Sequence, residues 1–364
     1  MRSILTIFLL TMTLGLSAAQ RQGADTIRIA EEPKEEGWFK KTWRKFTEID
    51  TNYVEPQHYN WALMLQGTYN YDIYRLSSKG DNKQTVTFAP APTFKFGPYF
   101  GWRWIFLGYT IDIKNINISK IKQEFDISFY AAQVGVDLFY RRTGSDYRIR
   151  DVDLGKGIDT HVLEDINFDG LSVGITGFNA YYIFNHKRFS YPAAFNQSTM
   201  QKISCGSWMA GLGYMRNSLE FDYNRMQTLA SKYLKQPVQL DSGLMFNSVK
   251  YYNLNASAGY AYNWVFARNC LFCSSLSLAL AYKKTRGETA DEDKTGFDLG
   301  NFNIDGIGRF GVVWNNNKWY AGASAIVRAY NYHKSRFAAN NIFGSLNIYA
   351  GFNFGPRKGY KKKR

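Results

Sequence analysis

The sequence lacks most of the features that identify soluble enzymes and helical membrane proteins. Beyond residue 19 it has no apolar run near the roughly 20 residues that a transmembrane helix needs. It has only three cysteines and four histidines, and no phosphate-binding loop, dinucleotide fingerprint or nucleic-acid-binding motif. Cys270 and Cys273 form a single CxxC without the second pair of a zinc site, so we interpret them as apolar fillers, with an oxidised loop as the alternative. No cofactor and no metal are predicted.

Acidic residues are also comparatively few. The chain has 45 basic and 30 acidic residues, which gives a formal net charge of +15. The basic residues are scattered through predicted loops and the C-terminus rather than along one helix, so no nucleic-acid partner is predicted. Attraction to anionic lipid headgroups is the simpler interpretation.

What the chain has in abundance is aromatic residues, at 17%, arranged in alternating patterns. The clearest pattern is the stretch 250–266, KYYNLNASAGYAYNWVF, in which an apolar set alternates with an amide-rich set. Successive side chains of a strand point to opposite faces, so this is one long strand with an apolar face and a polar face. It exceeds the 9–11 residues or so that a tilted membrane-spanning strand needs.

The N-terminus is typical of a secretory signal peptide. Arg2 precedes the apolar run Ile4–Leu16 and the small residues Ser17-Ala18-Ala19, which predicts a signal peptide over residues 1–19. No cysteine follows the cleavage site, so the chain is not predicted to be a lipoprotein. Residues 20–55 are predicted to be a periplasmic segment. It contains a short amphipathic helix, marked by Phe39, Trp43 and Phe46 on one face.

Residues 56–355 are predicted to form an all-β, antiparallel transmembrane barrel of about twelve strands in the outer membrane, followed by a basic tail, 356–364. The predicted strands are 59–75, 85–96, 102–113, 124–140, 171–184, 204–215, 219–225, 250–266, 272–283, 302–314, 319–331 and 342–354. The apolar parity of each strand is expected to face lipid, which points Val86 and Phe88 outward. A periplasmic N-terminus then places the loop 185–204 at the extracellular rim and the long connection 141–169 at the periplasmic rim.

The last predicted strand ends with Phe352 and Phe354, which face lipid. It is similar to the closing strands that barrel-assembly machinery recognises, so that machinery is an expected partner during insertion, beside outer-membrane lipid. The usual form ends at the aromatic residue, whereas here a tail ending in KKKR follows.

Three short pieces are more specific than any alternation. They are Asp50–Pro56 (DTNYVEP), Tyr182–Asn185 (YIFN) and Arg188–Ser198 (RFSYPAAFNQS). Together they resemble a Bacteroidota family known as domain of unknown function 4421, over nearly all of the mature chain. The resemblance implies an outer-membrane-type barrel and assigns no activity.

A search for catalytic groups finds one weak constellation. Asn185, His186 and Ser190 supply the residue types of an outer-membrane phospholipase, but a flexible loop would not preset their geometry. The carboxylates Asp291-Glu292-Asp293 lack the spacing of a recognised calcium loop. The prediction is therefore a protein that is not an enzyme and has no catalytic residue, with a lipid hydrolase as a minor alternative.

The predicted function concerns passage or interaction. Residues of the polar parity are expected to line the lumen; they are Asn70, Asp72, Lys95, Asp137, Asn253, Asn255, Arg309 and Arg328. The loop after the fifth predicted strand concentrates aromatic and small residues, which favours burial or a partner. Its candidate constriction or partner residues are Phe189, Ser190, Tyr191, Pro192, Phe195, Asn196 and Gln197. Two functions stay open: a narrow channel for small polar solutes, or an occluded barrel that is structural or binds a second envelope protein.

Overall fold

A computed structural model of the chain describes residues 48–79, 83–90, 93–102, 105–108, 111–112, 123–143, 146–155, 157–285, 301–333 and 337–360. These residues belong to the compact unit Lys45–Arg364. The predicted signal peptide, the amphipathic helix around Trp43 and the carboxylates Asp291–Asp293 lie outside the described residues.

Strands dominate the described residues. They are β1 Val54–Pro56, β2 Tyr59–Ser78, β3 Thr85–Pro90, β4 Thr93–Trp102, β5 Ile105–Gly108, β6 Ile111–Asp112, β7 Gln123–Tyr130, β8 Val134–Arg142, β9 Tyr147–Asp153, β10 Asn167–Phe168, β11 Leu171–Ile183, β12 Thr199–Gln201, β13 Cys205–Phe221, β14 Ser248–Ala267, β15 Cys270–Thr285, β16 Phe302–Asn315, β17 Trp319–His333 and β18 Phe337–Pro356. The helices are α1 Tyr191–Phe195 and α2 Tyr223–Leu234, with 3-10 turns at His161–Leu163, Ser242–Leu244 and Lys358–Tyr360.

The long strands form one antiparallel sheet in which the first pairs with the last. Its order is β4-β2-β18-β17-β16-β15-β14-β13-β11-β8-β7, with β5 and β6 paired to β4. The sheet encloses an interior, because Asp137 on β8 forms an ion pair with Arg309 on β16 although these strands are not neighbours. Within the described ranges, no pairing joins β5 or β6 to β7, so the described sheet is open there and twelve strands stay a prediction.

The two faces of the strands differ as alternation requires. On β14, Leu254 is 63% exposed whereas its neighbour Asn253 is fully buried. Leu278 on β15 and Ile348 on β18 are exposed on the same outer face, at 57% and 63%. The outer face is therefore apolar and the interior carries the amides and charges. No helix among the described residues is long and apolar enough to cross a membrane.

The prediction of one strand over 124–140 is wrong. The chain turns back at Ala131, whose backbone N–H donates to the carbonyl of Val134 at 2.9 Å, so β7 and β8 form a hairpin. Alternation continues across this short turn, which is why the sequence pattern does not show it. As a result Tyr130 belongs to the interior, where its ring packs against Tyr191.

The predicted break at 216–218 is also wrong. Arg216 pairs with Thr176 on one side and with Tyr252 on the other, and the ladder of β13 continues through Asn217 and Ser218. The polar triplet looked like a turn, but paired strands on both sides hold it extended.

The first error counts two strands as one and the second counts one strand as two, so the total number of strands is unchanged. The strands between the two errors, however, run in the opposite direction to the predicted one. We call the end of the sheet where β2 begins and β18 ends the terminal rim, and the opposite end the distal rim. β11 pairs with β13 so that Ile183 lies beside Met209, near the start of β13 at the terminal rim. The loop 185–204 therefore lies at the terminal rim, not at the opposite, extracellular rim as predicted. The connection 141–169 lies at the distal rim.

The third correction concerns Val86 and Phe88, which are fully buried rather than outward. The predicted strand divides after Pro90 into β3 and β4, and β3 pairs with β9 as well as with β2. Phe88 packs there against Phe168 and Phe221. These rings belong to an apolar core at the distal rim that also holds Met226 of α2.

Candidate functional site

The candidate site is the interior between the two rims, and its main occupant is the loop 185–204, which we call the inserted loop. Its helix α1 begins after Ser190, whose side chain accepts a hydrogen bond from the backbone of Ala193, and Pro192 stands in the first turn. Ser and Pro at these positions favour a helix start. Tyr191, Pro192 and Ala193 are buried, although they lie in a loop.

Tyr191 is the central aromatic contact of the inserted loop. Its hydroxyl donates to Ser275 Oγ on β15 at 2.6 Å. Its ring lies 5.0 Å from that of Phe195 and 5.7 Å from that of Phe189. The ring of Tyr181, on β11, meets it edge-on at 5.8 Å. Burial raises the pKa of the Tyr191 phenol, so it stays protonated and keeps its donor role.

Amide side chains fasten the inserted loop to further strands. Gln197 donates through Nε2 to the Tyr349 hydroxyl on β18 at 2.7 Å. Asn263 on β14 donates to the carbonyl of Ser190 at 2.8 Å and to Gln201 Oε1 at 3.0 Å. Asn196 accepts bonds from Ser198 within the loop and donates through Nδ2 to the carbonyl of Tyr130 on β7 at 3.5 Å. The loop is thus bonded to β14, β15 and β18 from inside the sheet.

The segment before β2 holds the inserted loop on its outer side. β1 pairs with β12 in the register Val54↔Gln201. β12 is the short strand that begins just after Ser198, a few residues beyond α1. The backbone of Lys202 donates to the carbonyl of Tyr53 at 2.7 Å, and Arg188 lies over the ring of Tyr53. Residues 48–56 and the inserted loop therefore form one packed structure at the terminal rim.

Beyond the inserted loop, ion pairs cross the interior. Arg309 pairs with Asp137, which also accepts a 2.7 Å bond from Ser128, and the Arg309 guanidinium lies over the ring of Tyr181. All but 2% of Arg309 and all of Asp137 are buried. A cavity of about 20 Å³ next to Arg309, also lined by Tyr181, has room for about one water molecule.

Tyr181 is placed by a glycine on the neighbouring strand. A Cβ at Gly135 would lie 2.2 Å from the ring carbon Cζ of Tyr181, so only glycine lets the ring lie flat on the backbone of β8. The ring then supports the guanidinium of Arg309 from below.

A second group of charges lies closer to the distal rim. Lys283 donates to Asp305 at 2.7 Å, and both side chains are 1% exposed. Asp305 also accepts from Asn253 Nδ2 at 2.9 Å. Arg141 lies 3.7 Å from Asp72, so β8 and β2 are connected across the interior.

The residues predicted to face the lumen divide into two groups. Asp72, Asp137, Asn253, Asn255, Arg309 and Arg328 are buried inside the sheet. Asn70 and Lys95 are half-buried. Arg328 lies over the rings of Phe139 and Phe343. The rings of the closing-strand residues Phe352 and Phe354 lie 5.8 Å apart in a tilted arrangement near the terminal rim, with Phe354 exposed.

Sequence reasoning missed Arg141 and Lys283. Both follow the inward parity of their strands, two positions beyond Phe139 and Ala281 respectively. Arg141 lies one residue beyond the predicted strand end at 140, so extending the alternation by one residue finds it. Lys283 is the last residue of its predicted strand, and its inward parity already indicates an interior side chain.

The three residues of the hydrolase alternative, Asn185, His186 and Ser190, make contacts within and around the inserted loop. Ser190 Oγ contacts Thr199 Oγ1 at 2.7 Å and caps α1. Asn185 donates to the carbonyl of Gly206 at 2.9 Å. His186 packs its ring beside Tyr182. Among the described residues, no group of three or more His, Cys, Asp or Glu side chains could hold a metal ion, and the three cysteines are free thiols.

Comparison with known proteins gives a family and a set of distant structural similarities. A family model described as Domain of unknown function (DUF4421) matches residues 48–354. No curated protein matches the sequence. Among solved structures, the chain is similar to the outer membrane protease OmpT from Escherichia coli at 8% identity and a TM-score of 0.34, over 84% of this chain and 100% of that one.

Two further similarities are of the same kind. The translocator domain of the autotransporter NalP from Neisseria meningitidis is 9% identical with a TM-score of 0.27, over 81% of this chain and 88% of that one. A Pseudomonas aeruginosa FadL homologue is 9% identical with a TM-score of 0.22, over 81% and 90%. All three are outer-membrane β-barrel proteins, and similarity at this level says nothing about the activity of the chain.

Proposed function

The chain belongs to the family described as Domain of unknown function (DUF4421), and we propose that it is an outer-membrane β-barrel that is closed at rest and has a structural or partner-binding role. We propose no catalytic activity. The observation that carries the proposal is the inserted loop: Tyr191, Ala194 and Gln197 are buried in the interior of the sheet and bonded to its wall.

The apolar outer face supports a membrane location. Leu254 on β14, Leu278 on β15 and Ile348 on β18 each expose more than half of their side chain on the outer face of the sheet. An apolar face of this extent is rare on a soluble protein, whereas hydrocarbon is its natural solvent. The buried amides and charges of the other parity are then shielded from lipid, where an unsatisfied polar group costs several kcal/mol.

The interior of the sheet is blocked at both rims, which supports the proposal that the barrel is closed at rest. At the terminal rim, α1 is held between β14, β15 and β18. At the distal rim, an apolar core that includes Phe88, Phe168 and Leu244 covers the interior. Between them lies the Asp137–Arg309 ion pair, so solutes would meet three obstacles in series.

A channel gated by the inserted loop is the second candidate function. The observation that favours it is a polar interior wall on β2 and β18, where Gln66, Thr68 and Asn347 bond to one another and are only half-buried. Such a wall suits water and small polar solutes.

Conductance in planar bilayers tests the proposal. We expect no conductance steps from the refolded wild-type chain, because the interior is closed at both rims. We expect none from a variant that lacks Ser190–Gln197 either, since the distal core remains. Only preparations that show a heat-modifiable band on a gel are compared, so that both proteins are folded.

Other outcomes separate the candidates. Steady conductance of the wild type would contradict a closed resting state. Steps that appear only after the deletion would favour the gated channel over the structural role. If a second envelope protein co-purifies with the wild type but not with the deletion variant, the inserted loop is part of the partner's site.

A further inference from the structure

Two neighbouring turns at the terminal rim, β14–β15 and β16–β17, carry basic and no acidic side chains. The β14–β15 connection contains Arg268, and the β16–β17 connection, 316–318 (NNK), contains Lys318. Both side chains are exposed. Two cations on tight turns have no carboxylate within their own turn to neutralise them.

These two turns are direct neighbours. The backbone N–H of Asn315 donates to the carbonyl of Asn269 at 2.9 Å, which joins the turn of Arg268 to that of Lys318. The backbone N–H of Asn353 donates to the carbonyl of Lys318 at 2.7 Å. Backbone hydrogen bonds therefore hold the turns of Arg268 and Lys318 next to each other, along one arc of the rim that runs from β14 to β18.

Exposed tryptophans lie on the same arc. Trp264, Trp314 and Trp319 are 54%, 43% and 49% exposed on the outer face, within a few residues of Arg268 or Lys318. Tryptophan is enriched at the level of lipid headgroups. The basic side chains then stand at the depth of the headgroup phosphates.

The long connection between β8 and β11 at the distal rim has the opposite charge balance. The connection 143–170 contains seven acidic and three basic residues. The positive character of the two terminal turns is thus not shared by this distal connection. It complements the negative surface of a phospholipid leaflet.

We propose that the arc of Arg268 and Lys318, flanked by Trp264, Trp314 and Trp319, binds the phosphates of anionic phospholipid headgroups in the leaflet at the terminal rim. This site rests on the proposed membrane location of the barrel. The tryptophans set the depth, and the two cations supply the preference for anionic over zwitterionic lipid.

The test uses the full mature chain in nanodiscs that contain phosphatidylethanolamine and phosphatidylglycerol. Native mass spectrometry of the released protein measures how strongly phosphatidylglycerol is retained over phosphatidylethanolamine. We expect wild type to prefer phosphatidylglycerol and the double variant Arg268→Gln/Lys318→Gln to lose that preference roughly thirtyfold, because each of the two cations near an anionic surface contributes about 1 kcal/mol. The matched control, Lys79→Gln/Lys232→Gln, removes two exposed lysines on the distal side and should keep it.

The results also separate this site from the membrane location. A double variant that inserts normally and retains phosphatidylglycerol as well as wild type would overturn the site alone. Equal losses in the double variant and its control would overturn it too, because the effect would follow net charge. Failure of the wild-type chain to enter either lipid would overturn the proposed function.

Discussion

Asp137→Asn is expected to lower the free energy of unfolding by about 3–5 kcal/mol, because it leaves the guanidinium of Arg309 buried without its counter-charge. Asp137 is fully buried, and Arg309 is 2% exposed. Asparagine keeps the shape of the side chain, so the change measures the charge. Denaturant titration of the refolded protein in detergent, followed by tryptophan fluorescence, gives the value.

Two comparisons make this result specific. The double variant Asp137→Asn/Arg309→Gln should be more stable than Asp137→Asn alone, since no buried charge is left uncompensated. Asp169→Asn breaks the exposed pair with Arg225, in which each side chain is about half exposed, and should cost no more than about 1 kcal/mol. Equal costs at Asp137 and Asp169 would mean that the interior is wet and the pair is screened.

Leu278→Arg is the second large effect that we expect. Leu278 lies near the middle of β15, opposite Ala258 of β14, and is 57% exposed on the outer face. A charged side chain at this depth should lower the stability of the assembled barrel by about 2–4 kcal/mol. Folding titrations into lipid vesicles measure the loss.

The matched control is a position on the same face but at the terminal rim. Phe266 is 45% exposed one residue before the end of β14. Phe266→Arg should cost at most about 1 kcal/mol, because the cost of charge falls toward the interface. Similar losses at Leu278 and Phe266 would show that the outer face does not lie in hydrocarbon.

The sequence was most informative where alternation runs uninterrupted. In β14, β15 and β18 the side chains of one parity, such as Leu254, are exposed and those of the other, such as Asn253, are buried. Period-two alternation depends only on the geometry of a strand, so it can be read without knowledge of the neighbours.

Strand ends and directions could not be predicted in the same way. Pairing partners, and not composition, decide between the turn at Ala131 and the continuous ladder at Asn217. A polar triplet with partners on both sides stays extended, whereas an apolar pair can turn. Because the first error reverses the direction of the strands that follow it and only the second restores it, the prediction places the inserted loop at the wrong rim.

The composition of the inserted loop was a better guide than its position. Tyr191, Pro192 and Ala194 suggested burial or a partner, and the structure places all three in the interior. The contacts that hold them there, such as Gln197 with Tyr349, join residues more than a hundred positions apart. No local pattern could reveal such pairs.

A disulfide between α1 and the wall tests the central claim, that the inserted loop occupies the interior of the barrel, most directly. A Cβ at Gly311 on β16 would lie 3.7 Å from the Cβ of Ala194, within the range that a disulfide needs, and 3.3 Å from the carbonyl oxygen of Ala194, which must shift slightly. Cys205, Cys270 and Cys273 are first replaced by alanine, since Cys273 packs against Ala194.

The measurement is the gel mobility of Ala194→Cys/Gly311→Cys after mild oxidation of the assembled protein in membranes, with and without reductant. We predict a cross-link in this pair and none in Ala194→Cys/Val312→Cys, because Val312 is the next residue on β16 and lies exposed on the outer face. No cross-link at Gly311, or equal cross-linking at both positions, would contradict the claim that the inserted loop occupies the interior of the barrel.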